Sequence, residues 1–340
     1  MKKVLFILDQ FDVPSPGQQL LDRFLIGLYH QGEFRPSSLQ VSVWLPNASV
    51  APALASRVKD FGLQIAPSRE AALRQADAAL ILLSAQNENT PKILEDLLPK
   101  LSRPFFIDGH LLPVLKLSQR LSLPPFSSQS IAIAISTAAA HLIPLPVKPV
   151  FAPDKVSKAL ITVQGPFPGA EIDAAFALLP CLETSLLNGG IGTIRKLQGP
   201  DLWNALYSAD WRPLLAAAIS RSNTIQGDPE KDGRPQDIVG LRLLEKLAEN
   251  ARGWFIEKSN GMRMAILVLD GALADTNFAV EAKGQVHSAQ LYRPPAPLEG
   301  HYGEFAFWIR HVLEGPRAPD PLRNALFVSG LLDKMAALDV

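Results

Sequence analysis

One cysteine, Cys181, stands in a chain of 340 residues. A disulfide within the chain is therefore impossible, and the single thiol fits a reducing compartment. In the apolar stretch "AAFALLPCLE" it reads as a buried packing residue. Neither sign of charge is in excess: Lys+Arg and Asp+Glu both number 33, so the formal net charge is zero. That balance argues against a nucleic-acid or acidic-membrane binder, whose affinity rests on a basic surface. No run approaches the about 20 apolar residues that a membrane helix needs. "IAIAISTAAAHLIPLP" comes nearest, but it is rich in small residues and is stopped by Pro144. "MKKVLFILDQF" has an apolar run too short for a signal segment, ended by Asp9. A soluble, cytoplasmic protein is the expectation. No H-E-x-x-H, C-x-x-C or calcium-loop spacing occurs, so no metal site is expected. No G-x-S-x-G elbow surrounds Ser127, Ser128 or Ser130, which argues against a serine hydrolase.

What is present is apolar and ordered. Hydrophobic residues make up 47% and charged residues 19%, a globular composition in a length comfortable for two domains. Val4–Leu8 is a continuous apolar run, the pattern of a parallel strand buried on both faces. "QQLLDRFLIGLYHQ" follows, with Leu20, Leu21, Phe24, Leu25 and Leu28 at helical spacing. Then come the strand "LQVSVWL", a helix closed by Gly62, and "LQIA". A helix capped by Ser68, the strand "AALILL", the helix "PKILEDLLPKL" and the strand "PFFI" follow. Strands alternating with helices at this spacing predict a doubly wound parallel sheet, a Rossmann-like domain over residues 1–145.

The pattern changes at the proline-rich "HLIPLPVKPVFAPDK", read as a crossover between domains. Residues 146–340 then predict an α+β domain with a mostly antiparallel sheet. "GWFIEKS", "MRMAILVLDG", "TNFAVEAKG" and "QVHSAQLYR" are adjacent strands joined by the tight turns "SNG" and "KGQ". Residues 222–237 read as an exposed loop. "GPRAPDP" reads as a rigid turn between two final helices, which could pack back on the first domain. "MAILVLDGA" and "NFAVEA" alternate poorly, which suggests an apolar sheet face used in a homo-oligomer, sheet against sheet. Trp203, Trp211, Trp254 and Trp308 read as core or interface residues rather than a base-stacking platform.

The ordered set of motifs resembles the Gfo/Idh/MocA family of nicotinamide-dependent oxidoreductases. The residues that carry the resemblance are "NGGIGTIRKLQGPDLW", "DWRPLLAAAISRS", "NGMRMAILVLDG", "TNFAVEAKG" and the closing "GEFAFWIRHVLEGPRAPDPLRNALFVSGLLDKMAAL". The likeness is to an uncharacterised branch, and it is stronger in the C-terminal half. It implies NAD or NADP as cofactor and a sugar, polyol or related hydroxyl substrate.

Three features that the resemblance implies are altered here. The first strand leads into "LDQFDVPSPGQQLL", with no G-x-G-x-x-G; Pro14 and Pro16 remove backbone donors, and Asp9 and Asp12 add negative charge. The second strand ends in Pro46 and Asn47, where a ribose-binding carboxylate is expected. The fifth strand ends in "FFIDGHL": Asp108 matches the family's acid, Gly109 falls in the slot of its lysine, and His110 follows. The C-terminal helix "AEIDAAFALLPCLE" places Phe176 where a second catalytic group is implied, and Asp173 is the nearest titratable residue.

The candidate catalytic residues are therefore Asp108, His110 and Asp173. The candidate cofactor contacts are Asp9, Gln10, Asn47 and Ser84. A cleft between the domains, lined by Asp9, Gln10, Ser84, Asp108, His110 and Asp173, is the expected small-molecule site. His110 could act as acid or base, or simply hydrogen-bond its own turn. His301, before a helix, is a further candidate. Two readings stand open: a relative that has lost or altered NAD(P)-dependent hydride transfer, and an active NAD(P)-dependent oxidoreductase with an atypical cofactor loop.

Overall fold

The computed structural model describes residues 2–30, 32–46, 52–127, 131–146, 155–224, 236–248, 250–294, 300–314 and 321–338, without the side chains of 183–185, 300, 301 and 321. Asn47, most of the 222–237 loop, the "GPRAPDP" turn and the His301 side chain lie outside the described residues. The chain divides into two compact units: Met1–His141 with Pro294–Ser329, and Leu142–Arg293 with Gly330–Val340.

The first unit begins with β1 (Lys3–Leu8), which is buried from Val4 onward. α1 (Pro16–Leu25) follows, with Ser15 as N-cap, and buries Leu20, Leu21 and Phe24. The helical spacing that reached Leu28 does not continue. Gly27 turns the chain at φ 141, and a Cβ there would lie 2.5 Å from the Arg35 carbonyl oxygen. The chain instead forms a hairpin of β2 (Gly27–His30) and β3 (Glu33–Pro36). Leu28 is still buried, but from a strand. The unit continues with β4 (Gln40–Trp44), α2 (Pro52–Phe61), β5 (Gln64–Ile65), α3 (Arg69–Gln75) and β6 (Ala78–Leu82). α4 (Thr90–Leu97), β7 (Phe105–Asp108), α5 (Leu112–Leu115), α6 (Leu117–Arg120) and β8 (Ile133–Ser136) complete it up to His141. The six-stranded sheet has the order β5-β4-β1-β6-β7-β8, and its pairs are all parallel. This is the doubly wound order, and the chain reverses direction across the sheet between β1 and β6.

The second unit holds β9 (Ile143–Leu145), β10 (Val156–Val163), α7 (Gly169–Leu187), β11 (Ile191–Gln198), α8 (Gly199–Leu206), α9 (Arg212–Ile219) and α10 (Leu244–Leu247). Four strands follow, β12 (Arg252–Lys258), β13 (Arg263–Val268), β14 (Thr276–Ala282) and β15 (Gln285–Tyr292). The sheet order is β11-β12-β13-β10-β14-β15-β9; β10 and β13 run parallel and the other pairs antiparallel. The cross-strand row Trp254–Ile266–Ile161–Phe278 lies on one face. Trp254 there meets Glu171 of α7. The next row, Phe255–Ala265–Leu160–Ala279, packs with Leu202 and Leu206 of α8 and Leu214, Leu215 and Ala218 of α9. Both faces are thus covered by helices of the same chain. Among the described residues, α8 and α9 occupy the sheet face on which an open apolar surface was expected. Each large apolar side chain so enclosed contributes about 1.5–3 kcal/mol of transfer free energy.

Two helices close the chain, α11 (Gly300–Glu314) and α12 (Pro321–Ala336). Phe305, Ile309 and Val312 of α11, at helical spacing, enter the first unit's core with Phe6, Phe24 and Phe106. The His30 ring stacks on Phe307 with centroids 3.8 Å apart. Trp203, Trp211 and Trp254 are buried, and Trp308 is partly so. Cys181 is half-buried on α7, not fully enclosed, because it falls on the helix's partly exposed side. Among the described residues no helix is long and apolar enough to cross a membrane.

Candidate functional site

Doubly wound sheets bind ligands at the carboxyl ends of their strands, where the strand order reverses. In the first unit that point lies between β1 and β6. Asp9 and Gln10 follow β1, and Ser84 follows β6. The structure joins Asp9 and Ser84 directly: the Ser84 amide donates to Asp9 Oδ2 at 2.9 Å. Asn87 Nδ2 donates to the same oxygen at 3.1 Å. Asp9 Oδ1 is buried and has no hydrogen-bond partner among the described residues. Gln10 is exposed. The β6–α4 loop is strapped from within, since the Thr90 hydroxyl donates to the Ser84 carbonyl at 2.7 Å and Ser84 Oγ to Gln86 Oε1 at 2.8 Å. Asn87 escaped the sequence reading; its only signal is the polar run "SAQNEN" after an apolar strand.

A dinucleotide diphosphate needs free amides at the start of the helix after β1. α1 offers few. Pro16 has no N–H, the Gln18 amide donates to Ser15 Oγ at 3.1 Å, and the Gln19 amide donates to the Ser15 carbonyl at 2.9 Å. Between β1 and α1 the buried Phe11 lies under Arg57, whose guanidinium is 5.5 Å from the ring centroid. Arg57 is itself spent on Asp22, at 3.0 and 2.7 Å. That pairing holds its pKa above the usual value, the Asp22 hydrogen bond outweighing desolvation. The Asp9 carboxylate after β1, the proline at the helix start and the two amides committed to Ser15 do not fit a diphosphate.

At the end of β7, Asp108 Oδ1 accepts from the His110 amide at 2.9 Å and lies 2.8 Å from His110 Nδ1. The contact favours the proton on Nδ1. The His110 side chain is 36% exposed and that of Asp108 only 14%. Gly109 begins the 3-10 turn Gly109–Leu111 and is buried. A carboxylate that orients an imidazole through Nδ1 can support acid–base chemistry at Nε2. No side chain stands in the lysine slot.

Asp173 belongs to the second unit. Asp173 Oδ2 is 3.9 Å from Arg293 Nη2, and Phe176 is buried. The charged centre that the sequence reading missed is Glu171, which is fully buried. Its Oε1 accepts from Arg252 Nε at 2.9 Å and Trp254 Nε1 at 3.0 Å, while Oε2 has no partner among the described residues. Arg252 Nη2 donates to the Gly165 carbonyl at 2.8 Å, and the Gly165 amide to Asp270 Oδ1 at 2.7 Å. No local spacing joins Glu171 of α7 to Arg252 of β12, so only the packing of the helix on the sheet reveals the pair. At the opposite end of β10, Asp210 binds Arg263 through two hydrogen bonds of 2.6 and 2.9 Å. Lys158 bridges Asp210 and Glu281 at 2.8 and 3.0 Å. Arg263 holds the Asp210 carboxyl below the usual range, and Lys158 does the same for Glu281.

A Rossmann-like parallel sheet unit with a second unit built on a mostly antiparallel sheet is the architecture of a class of two-domain oxidoreductases. Solved dehydrogenases and a reductase share this fold. GenD2 from gentamicin A biosynthesis, in complex with NAD, is 12% identical, with a TM-score of 0.60 over 99% of this chain and 94% of that one. Lactobacillus casei myo-inositol dehydrogenase, in complex with NAD(H) and myo-inositol, is 11% identical, with a TM-score of 0.58 over 99% and 94%. Synechocystis sp. PCC 6803 biliverdin reductase, in complex with biliverdin and NADP+, is 12% identical, with a TM-score of 0.52 over 98% of each chain. At these identities the likeness establishes the fold. No family model and no curated protein matches the chain.

Proposed function

We propose that this chain is a Gfo/Idh/MocA-like protein of oxidoreductase ancestry that has lost NAD(P)-dependent hydride transfer and binds a small molecule at the strand ends of its first unit. The observation that carries the reading is the β1–α1 connection. Pro16 and the Ser15 cap leave the helix start short of donors, and Asp9 puts a carboxylate where a diphosphate would need them. Gly109 in the lysine slot supports it independently. The test is calorimetry and thermal shift with NAD(H) and NADP(H) at millimolar concentration. A ligand present at 100 times its Kd raises stability by about 2.7 kcal/mol. No saturable response is the expected result. A saturable one would restore the alternative of an active oxidoreductase with an atypical loop, to be pursued with sugar and polyol substrates.

The Asp108–His110 contact favours a second reading, in which the first unit retains acid–base chemistry without a nicotinamide. Asp108 would orient the ring and His110 would exchange the proton. Loss of turnover of a bound ligand in His110→Gln, with binding intact, is its signature; unchanged turnover refutes it.

A further inference from the structure

The hairpin that follows α1 leaves a strand edge open. Its pairing fixes where each backbone group points. His30 and Glu33 are the last pair before the turn, and the Ser37 amide donates to the Ile26 carbonyl at 2.9 Å. Hydrogen-bonded and non-hydrogen-bonded pairs alternate along an antiparallel ladder. Glu33 and Arg35 therefore turn their N–H and C=O groups toward β2. Those of Phe34 on β3, and of Tyr29 on β2, point away from the hairpin.

The two outer edges differ. A Cβ on the buried Gly303 of α11 would lie 3.2 Å from the Tyr29 carbonyl oxygen, so α11 sits against the edge of β2. All four residues of β3 are exposed, and among the described residues β3 pairs with β2 alone. No hydrogen bond to the Phe34 amide or carbonyl is present among them. Such an edge is a template for another strand, and proteins blunt it with lysines, bulges or proline. β3 has no lysine and no break in register; Pro36, at its end, is the one blunting residue.

The side chains select the strand that fits. Tyr29 and Phe34 stand on one face, 70% and 48% exposed, with ring centroids 5.3 Å apart. Glu33 and Arg35 stand on the other, where the Arg35 guanidinium lies 5.9 Å from the Phe307 ring centroid. Neither Glu33 nor Arg35 has an ion pair among the described residues. Opposite charges facing each other across strands stabilise pairing, and like charges oppose it. The edge thus asks for an antiparallel strand with an arginine opposite Glu33, a glutamate opposite Arg35 and an apolar residue between them. β3 read in the opposite direction is that strand. About a two-fold axis through Phe34, Glu33 of each copy meets Arg35 of the other. The Phe34 pair then exchanges both backbone bonds. The charged pairs fall at the closer, non-hydrogen-bonded positions, about 4.5 Å between Cα atoms.

We propose that two copies of this chain pair through β3, antiparallel, with Phe34 opposite Phe34 and Glu33 opposite Arg35. The product is a four-stranded sheet in the order β2-β3-β3-β2, with the Tyr29 and Phe34 rings of both copies on one face.

Sedimentation equilibrium of the full chain over about 10–500 µM tests it, a range set by the small contact. The proteins are wild type, Glu33→Arg, Arg35→Glu and the double variant Glu33→Arg/Arg35→Glu. Wild type should self-associate from its chain mass of 37.0 kDa toward twice that value. Each single variant sets like charges together at both contacts, and should dissociate about 10-fold more readily or beyond. The double variant restores opposite charges and should pair like wild type. An equimolar mixture of the two single variants should also pair, because each supplies the charge that the other lacks. Wild type that stays monomeric throughout overturns the proposal. Single variants that associate like wild type overturn it by placing the interface elsewhere. A double variant and a mixture that both stay dissociated overturn it by showing that the edge does not take its own copy. Should a charge variant fail to fold, Phe34→Cys in a Cys181→Ser background decides. The axis sets the two Cα atoms about 5.5 Å apart, within reach of a disulfide. Mild oxidation should then give a covalent dimer, and Val58→Cys in the same background should not; no crosslink, or equal crosslinking of both, overturns the pairing.

Discussion

Lowering the pH from 7 to 4 should destabilise the first unit through one imidazole. His141 ends the turn Ala138–His141, with its ring 5.1 Å from Phe305 and 5.5 Å from Trp308. No ion pair to it is present among the described residues. Burial pushes its pKa down from 6.5 to about 4. The unfolded chain therefore binds a proton across a window in which the folded chain does not. Stability rises with pH through that window and is lost as pH falls from 6.5 toward 4. A displacement of about 2.5 units corresponds to about 3 kcal/mol, most of it lost by pH 4. Urea unfolding at steps between pH 7.5 and 4, followed by tryptophan fluorescence, measures it. His141→Phe keeps an aromatic ring against Phe305 and Trp308 and removes the titration. Wild type should lose about 3 kcal/mol more than this variant over the window. Parallel curves for the two proteins would refute the reasoning.

Other consequences follow from buried charges. Arg252→Met strands the buried Glu171 carboxylate and should cost about 3–5 kcal/mol, whereas Glu171→Leu/Arg252→Met together should cost far less than the sum of the single changes; additive values in a urea double-mutant cycle would contradict the pairing. Asp210 and Glu281 have pKa values lowered by Arg263 and Lys158. Their contribution is present above the ordinary carboxylate pKa and is lost only as pH falls below it, through the lowered values. Asp210→Asn should therefore blunt acid unfolding below that pH and leave the His141 window intact. Burial raises the Cys181 thiol to about 11, so at pH 8 only about one molecule in a thousand carries thiolate, and alkylation by iodoacetamide should be far slower in native protein than in urea. Lys258 is buried and donates to the carbonyl of Leu186, in the last turn of α7, and to that of Gly189, just beyond it. Lys258→Met should lower stability by about 1–3 kcal/mol, because those carbonyls lose their donor; an unchanged urea midpoint would show that solvent replaces it.

The sequence alone determined the class of fold. Continuous apolar runs such as Val4–Leu8 mark strands buried on both faces, and turn residues such as Gly62 and Ser68 mark helix ends; these are local signals. The missing glycine cradle and the glycine in the lysine slot are equally visible, because both are departures within one short segment. The tertiary structure decided what local patterns cannot carry. α1 stops at Leu25 because Gly27 approaches the Arg35 carbonyl of a later strand, although the apolar spacing runs on to Leu28. The sheet of the second unit is covered on one face by α8 and α9, on the row Phe255–Ala265–Leu160–Ala279, and on the other by α7, which meets Trp254; alternation in single strands does not foretell this. Asp9 was legible as a charge after the first strand, but its bond to Ser84 spans 75 residues and that of Glu171 to Arg252 spans 81. Such pairs follow from strand order and register, and these are fixed by the burial of whole faces at once and not by any one segment.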